Sequence, residues 1–274
     1  MKNIDKKTVN SFSNEWSRFN QDSLSIDESK DIFDKYFNIY PLKKLKKNFE
    51  IFDMGCGTGR WAFHLAPLVK KINCIDPSSA IIEAKKNLAK FNNIYYFNTS
   101  IDELNLAHNS QDFGYSLGVL HHIPDTSKAL KSCNNLLKPG APFLCYLYYN
   151  FDNKPKWFKF LWAISNILRN LIIKLPNSFK NIITDILAIF LYYPLSRSAF
   201  ILEKMKFDTT NFPLSFYKNK SFYTMRTDSR DRFGTPLEKR FTKDQIKKMM
   251  IEAGFKNISF SDKEPFWCCL GFKK

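Results

Sequence analysis

The sequence predicts an α/β fold: a mainly parallel seven-stranded sheet with helices on both faces, plus a helical insertion late in the chain. Three observations predict it. From residue 49 to 149, apolar strand-like runs alternate with helical stretches, a pattern that builds a parallel sheet covered on both sides. The first run breaks into three alternating glycines, Gly55, Gly57 and Gly59, just before a helix opening at Trp61-Ala62-Phe63. After about ninety residues without that period, a helix and two apolar runs resume near residue 241.

Taken in order, Phe12, Trp16 and Phe19 fall at i, i+4 and i+7 and give a short helix over 11–22 one apolar face. That face either packs on the main domain or forms a lid over a ligand cleft. A second helix over 28–46 carries Ile32, Phe33, Tyr36 and Phe37 and breaks at Pro41. Strands are predicted at 49–53, 71–75, 94–97, 113–117 and 142–149, with helices at 58–69, 78–90 and 126–137 between them. Thr242 is a good N-cap and Gly254 a good C-terminal stop for the late helix. Closing strands follow at about 255–260 and 266–272. The expected division is an N-terminal helical cap (1–48), a core (49–149), an insertion (150–240) and a closing helix with two strands (241–274).

The net charge is +16. Residues 1–149 carry 19 Lys/Arg against 15 Asp/Glu, and residues 150–274 carry 23 against 11, so the excess lies outside the glycine-loop half. Basic surfaces attract nucleic acid, anionic lipid or phosphorylated substrates. Six cysteines show no CxxC pair and no metal-ligand spacing, so no metal is expected. Reduced, mostly buried thiols and an N-terminus without an apolar stretch fit a cytoplasmic chain, with peripheral attachment at the inner membrane face as an alternative.

Strand, glycine turn and helix together present backbone N–H groups and a positive helix end to a nucleotide-like ligand. Asp53-Met54-Gly55-Cys56-Gly57-Thr58-Gly59 resembles the first motif of class I S-adenosylmethionine-dependent methyltransferases, particularly the type 11 group. Asp76 closing strand 2, the run Gly118-Val119-Leu120-His121-His122-Ile123-Pro124-Asp125 after strand 4, and Leu136-Leu137-Lys138-Pro139-Gly140 before strand 5 agree with it. A nicotinamide dinucleotide site is the main competitor, but its GxGxxG spacing differs from the GxGxG here.

The resemblance implies a Rossmann-like class I fold and S-adenosylmethionine as cofactor, released as S-adenosylhomocysteine. It assigns the cofactor to Asp53, Gly55, Cys56, Gly57, Gly59, Arg60, Asp76, Pro77, Ser100, Ile101, Asp102, Leu117, Gly118 and His121. Asp76 is placed to accept from the ribose hydroxyls, Asp102 from the adenine amine, and Asp53 to balance the cofactor's positive charge, with Ile101 covering the ring. Methyl transfer from a sulfonium needs alignment first. A base is needed only for a protonated acceptor such as a hydroxyl, and His121 or His122 could serve.

The insertion is expected to select the acceptor. Apolar runs over 157–173 and 182–193 form two helices separated by Pro176, each interrupted by charge before reaching the ~20 residues of a membrane span. They pack on each other or on a second subunit, lie in an anionic membrane interface beside Lys154, Lys156, Lys174, Lys180 and Arg197, or line an apolar tunnel. In 221–236, Arg226 and Asp228 are catalytic candidates, and Arg226, Arg230 and Arg232 either clamp an anion or pair with Asp228 and Asp231. The expected reaction is O-methylation of a small-molecule or glycan acceptor, plausibly lipid-linked. Alternatives are quinone-type C-methylation, RNA or DNA methylation, and a non-enzymatic membrane- or partner-binding protein on the same fold. Nucleic acid is the weaker of these partners, because strand 4 ends Ser116-Leu117-Gly118-Val119 without the Pro-Pro-aromatic motif of base-amine methylation.

Overall fold

Five strands run parallel: β1 (Glu50–Met54), β2 (Lys71–Ile75), β3 (Ile94–Phe97), β4 (Phe113–Leu117) and β5 (Pro142–Tyr146). β6 (Phe255–Phe260) and β7 (Cys268–Lys273) close the sheet, β7 lying antiparallel to β5, in the order β3-β2-β1-β4-β5-β7-β6. The computed structural model describes residues 2–274; Met1, counted in the expected N-terminal cap, lies outside the described residues. The strand order reverses between β1 and β4, and ligands of open parallel sheets bind at the carboxyl ends of strands beside such a reversal. Each central strand is buried on both faces, as its continuous apolar composition requires.

The chain forms two compact units: residues 1–21, 29–150 and 237–274, and residues 22–28 with 151–236. Residues 2–21 and 29–48 thus group with the sheet. In the first unit, one sheet face is covered by α2 (Ile26–Phe37), α3 (Arg60–Leu65) and α4 (Ala80–Asn87), through Phe33, Phe37, Trp61, Leu65 and Leu88. α5 (Thr126–Leu136) and α10 (Lys243–Glu252) cover the other with Leu130, Cys133, Ile246 and Met250. Asp125 caps α5 by accepting from Lys128 N at 2.9 Å, and Thr242 with Gln245 forms a reciprocal capping box on α10. All six cysteines are free and buried.

In the second unit, α6 (Lys156–Ile172), α7 (Asn177–Leu187), α8 (Tyr193–Lys204) and α9 (Phe222–Gly234) pack around Ile172, Tyr192, Met225 and Phe233. A π-helical turn over Ala188–Tyr192 joins α7 to α8, so the helix runs unbroken from Asn177 to Lys204. Pro194 lacks the N–H that would close the regular turn there, which accounts for the wider one. The helix is long and apolar enough to cross a membrane, with an 18-residue stretch of mean hydropathy 1.3. Sequence reading stopped the apolar run at residue 193 and judged it too short. It also left 221–236 without a secondary structure, because polar residues there hide the helical period; it is α9.

Candidate cofactor and catalytic site

The glycine turn sits at the carboxyl end of β1, beside the reversal in strand order. Gly55 has a φ of +80°, and a Cβ there would fall 2.4 Å from Val119 Cγ1, so only glycine fits. Gly57, at φ +53°, carries the indole of Trp16 3.6 Å from the place where a side chain would begin. Gly59 starts α3 in the left-handed conformation, and the Arg60 guanidinium lies 4.2 Å from the centre of the Trp61 ring and 5.9 Å from that of Trp16. Cys56 is buried beneath the turn.

Asp76 leaves the end of β2 and organises this turn. Its Oδ2 accepts from Gly57 N at 2.8 Å, and its Oδ1 accepts from Ser78 N at 2.8 Å and Ser78 Oγ at 2.6 Å. A carboxylate has about four acceptor positions, so one remains after these bonds. Burial raises its pKa, offset in part by the bonds from Ser78 and Gly57. Pro77 beside it is exposed.

Asp53 bears a large electrostatic penalty. It is fully buried in β1, and neither carboxylate oxygen has a hydrogen-bond partner among the described residues. Burial pushes its carboxyl up to about 8; the Tyr115 hydroxyl nearby offsets that only in part, and the Asp76 charge adds to it. An uncompensated buried acid at the floor of a glycine turn fits a cationic ligand, since a positive charge nearby would return it to the carboxylate. The left-handed turn, the spare acceptor on Asp76 and the unpartnered Asp53 together match the sulfonium, ammonium and ribose groups of S-adenosylmethionine.

After β3, Ser100 and Ile101 are buried, and Ser100 Oγ donates to Glu103 at 3.3 Å. Asp102 Oδ2 accepts from Asn3 N at 2.9 Å and Lys128 Nζ at 2.6 Å. Burial would raise this carboxyl, but those two donors outweigh it and hold it below the usual range. An adenine contact by Asp102 would therefore use its other oxygen. Leu117 is buried at the end of β4, and Gly118 follows in the left-handed region.

His121 is fully buried, with neither ring nitrogen hydrogen-bonded among the described residues. It stacks on Tyr148 with centroids 3.8 Å apart, while His122 Nδ1 is bonded to Leu237 O at 2.6 Å. Burial, then the neighbouring His122 and Arg240, push the His121 imidazole well below its ordinary value, so it is neutral. A neutral, strongly depressed imidazole is a weak proton acceptor.

Arg226 and Asp228 stand on α9 in the second unit. Arg226 is clamped to Asp185 by two bonds of 3.1 and 3.0 Å, and Asp228 accepts from the Tyr192 hydroxyl at 3.0 Å. Arg230 donates to Asn181 at 2.8 Å and Arg232 to Ser165 at 3.2 Å. These bonds favour a structural network over an anion clamp, with partners drawn from α6 and α7 that sequence reading did not name.

The N-terminal helix, expected from sequence to pack on the main domain or form a lid, belongs to a strap within the first unit. Lys2 pairs with Glu103, the Asn3 side chain bonds both backbone groups of Asp125 at 2.7 Å, and Thr8 Oγ1 accepts from Leu237 N at 3.1 Å. On α1 (Lys6–Arg18), Phe12 meets the edge of His122 at 5.0 Å, Ser13 Oγ accepts from Ser79 N at 3.1 Å, and Trp16 lies against Gly57. The strap thus touches the loops after β1, β2, β3 and β4. The spacing of Phe12 and Trp16 was the one signal for it; the Asn3 contacts left none.

Comparison with known proteins agrees with this geometry. The type 11 methyltransferase domain profile matches residues 52–145. The chain is 32% identical over 106 residues to a demethylmenaquinone methyltransferase of Staphylococcus aureus, covering 37% of this chain and 44% of that protein. It is 30% identical over 127 residues to a ubiquinone biosynthesis O-methyltransferase of Coxiella burnetii, covering 40% and 54%. The chain thus spans about half the length of these curated relatives. Among solved structures, the fold is shared with a Haloferax volcanii chain solved with the Trm112 methyltransferase activator (12% identity, TM-score 0.50, covering 95% of this chain and 96% of that one). It is shared also with a Bordetella parapertussis chain described as a possible exported protein (14% identity, TM-score 0.53, covering 95% and 79%). Residues 52–145 thus carry a methyltransferase domain of the type 11 family.

Proposed function

We propose that this chain transfers a methyl group from S-adenosylmethionine to oxygen on an apolar, lipid-linked or quinone-type acceptor. The observation that carries the cofactor half is Asp53, a buried acid with no hydrogen-bond partner among the described residues, at the floor of a glycine turn. The acceptor half is supported by the two quinone-related relatives and by the apolar composition of 151–236, which leaves and rejoins the sheet unit where Tyr149 pairs with Phe241 beyond β5.

When bound, the cofactor supplies a methyl group on sulfur with a good neutral leaving group. Asp76 would hold the ribose through its remaining acceptor, Asp53 would balance the positive charge, and Ile101 would cover the adenine. Trp16 and the strap would exclude water from the turn. Tyr148, held by His121 on its face and with the Arg240 guanidinium 5.1 Å from its ring centre, is fixed just beyond β5. Alignment of this kind contributes ~7–11 kcal/mol to such displacements. His121 shapes this wall and stays neutral; a hydroxyl acceptor would give its proton to solvent or to a group of its own.

The likeness to a demethylmenaquinone methyltransferase favours ring-carbon methylation as the second reading. Product analysis with a labelled methyl donor and hydroxylated or ring-unsubstituted quinols tests the pair. Label on oxygen supports the first reading and label on ring carbon the second, while no transfer to either class would reject the acceptor proposal.

A further inference from the structure

The second unit exposes more apolar surface than a soluble helical bundle needs. On α6, Phe160, Ile164, Ile167 and Leu171 follow one another at helical spacing on one face; Phe160 is 66% exposed and Ile167 65%. On the continuous α7–α8 helix, Ile182 and Phe190 are outward too, Phe190 at 75%. Contiguous apolar surface of this size marks an interaction site.

We infer that this face is an interfacial membrane anchor that docks on an anionic lipid bilayer, with the helices lying in the surface plane. Charge chooses the occupant. Residues 151–236 carry 14 Lys/Arg against 6 Asp/Glu, and α6 holds no acidic residue at all. Exposed Lys156, Lys159 and Lys174 flank the apolar face of α6, and Lys204 and Lys206 stand at the far end of α8. Lysines there can keep their ammonium groups among lipid headgroups while the apolar face is buried. A second copy would set lysine against lysine. The anchor uses different basic residues from those the sequence suggested. Lys154 is buried and donates to Thr210 O, Lys180 is buried, and Arg197 donates to the carbonyls of Lys218 and Lys220.

The same unit argues against spanning, although Asn177–Lys204 has the length. Its inner side is committed to α9: Ser229 Oγ donates to Thr184 O at 2.8 Å, Arg230 holds Asn181, and Arg226 holds Asp185. A helix with one polar, hydrogen-bonded side and one apolar side lies in an interface.

Flotation of the full chain with phosphatidylcholine vesicles, with and without phosphatidylglycerol, tests the inference. The expected result is binding to the anionic vesicles at low salt that weakens as salt is raised. Replacing Lys156, Lys159 and Lys174 by Gln should weaken it about fivefold per lysine. The exposed pair Phe160→Ser with Ile167→Ser should abolish it while the melting temperature and S-adenosylmethionine binding are unchanged, which separates loss of the anchor from loss of the cofactor site. Absence of binding to either vesicle at low salt would overturn the inference. So would light scattering that shows a dimer which the serine pair dissociates while vesicle binding stays as it was.

Discussion

The indole of Trp16 lies against Gly57, 3.6 Å from where a side chain on that glycine would begin. This contact joins the N-terminal strap to the turn proposed to receive the methyl donor, so cofactor retention is expected to depend on the strap. Trp16→Ala should leave the melting temperature within a few degrees but release S-adenosylmethionine about tenfold faster, a loss of ~1.4 kcal/mol if the association rate is unchanged. Stopped-flow displacement checks it, and an unchanged off-rate would mean the helix is only packed there.

Gly55→Ala meets two obstacles at once, a φ of +80° and Val119 at 2.4 Å. A cost of ~1–3 kcal/mol for the conformation alone is expected, with further loss from the clash. Thermal melting should show a clear drop and titration should show no cofactor binding. A variant that melts and binds like the parent would show that the turn is looser than this.

Asp53 makes stability depend on pH in a particular sense. Its folded value near 8 stands above the ordinary carboxyl value of 3.8. Below the ordinary value both states are protonated and the fold bears no penalty. As pH rises toward 8, the unfolded chain ionises first and stability is lost. Asp53→Asn should therefore stabilise the protein at pH 7, by on the order of 4 kcal/mol, with the gain vanishing near pH 4, while cofactor affinity falls. Melting curves across that range would contradict the account if the variant were equally or less stable at pH 7.

The half-buried Arg226–Asp185 pair joins α9 to α7, and its side chains are 32% and 27% exposed. Solvent screening limits its coupling to about 1 kcal/mol. A double-mutant cycle with Arg226→Gln and Asp185→Asn should recover that coupling in stability. If Arg226→Gln instead destroyed turnover with stability intact, the catalytic role expected from sequence would be restored.

The sheet was legible because its rules are local. The apolar runs at β1, β2, β4 and β5 each fill a strand buried on both faces, and the three glycines that mark the turn all have positive φ. Asp76 was legible by position at the end of β2, though its bond to Gly57 was not, since that depends on two strands meeting. The inserted unit was hard to read for the opposite reason. α9 is polar over most of its length and is tied down by partners far away in sequence, Asp185 and Asn181 among them. The join of α7 to α8 passes a proline that local propensity reads as a break. The strap was half visible: Trp16 announced a face, while Asn3 reached Asp125 across 122 residues with no pattern to signal it.

The central claim is that the turn after β1, held by Asp76, receives S-adenosylmethionine. Calorimetric titration of S-adenosylmethionine into the wild type and into Asp76→Ala, with circular dichroism confirming that the variant is folded, tests it most directly. The account predicts one site in the wild type and no measurable binding in the variant; equal affinity in both, or none in the wild type, would contradict it.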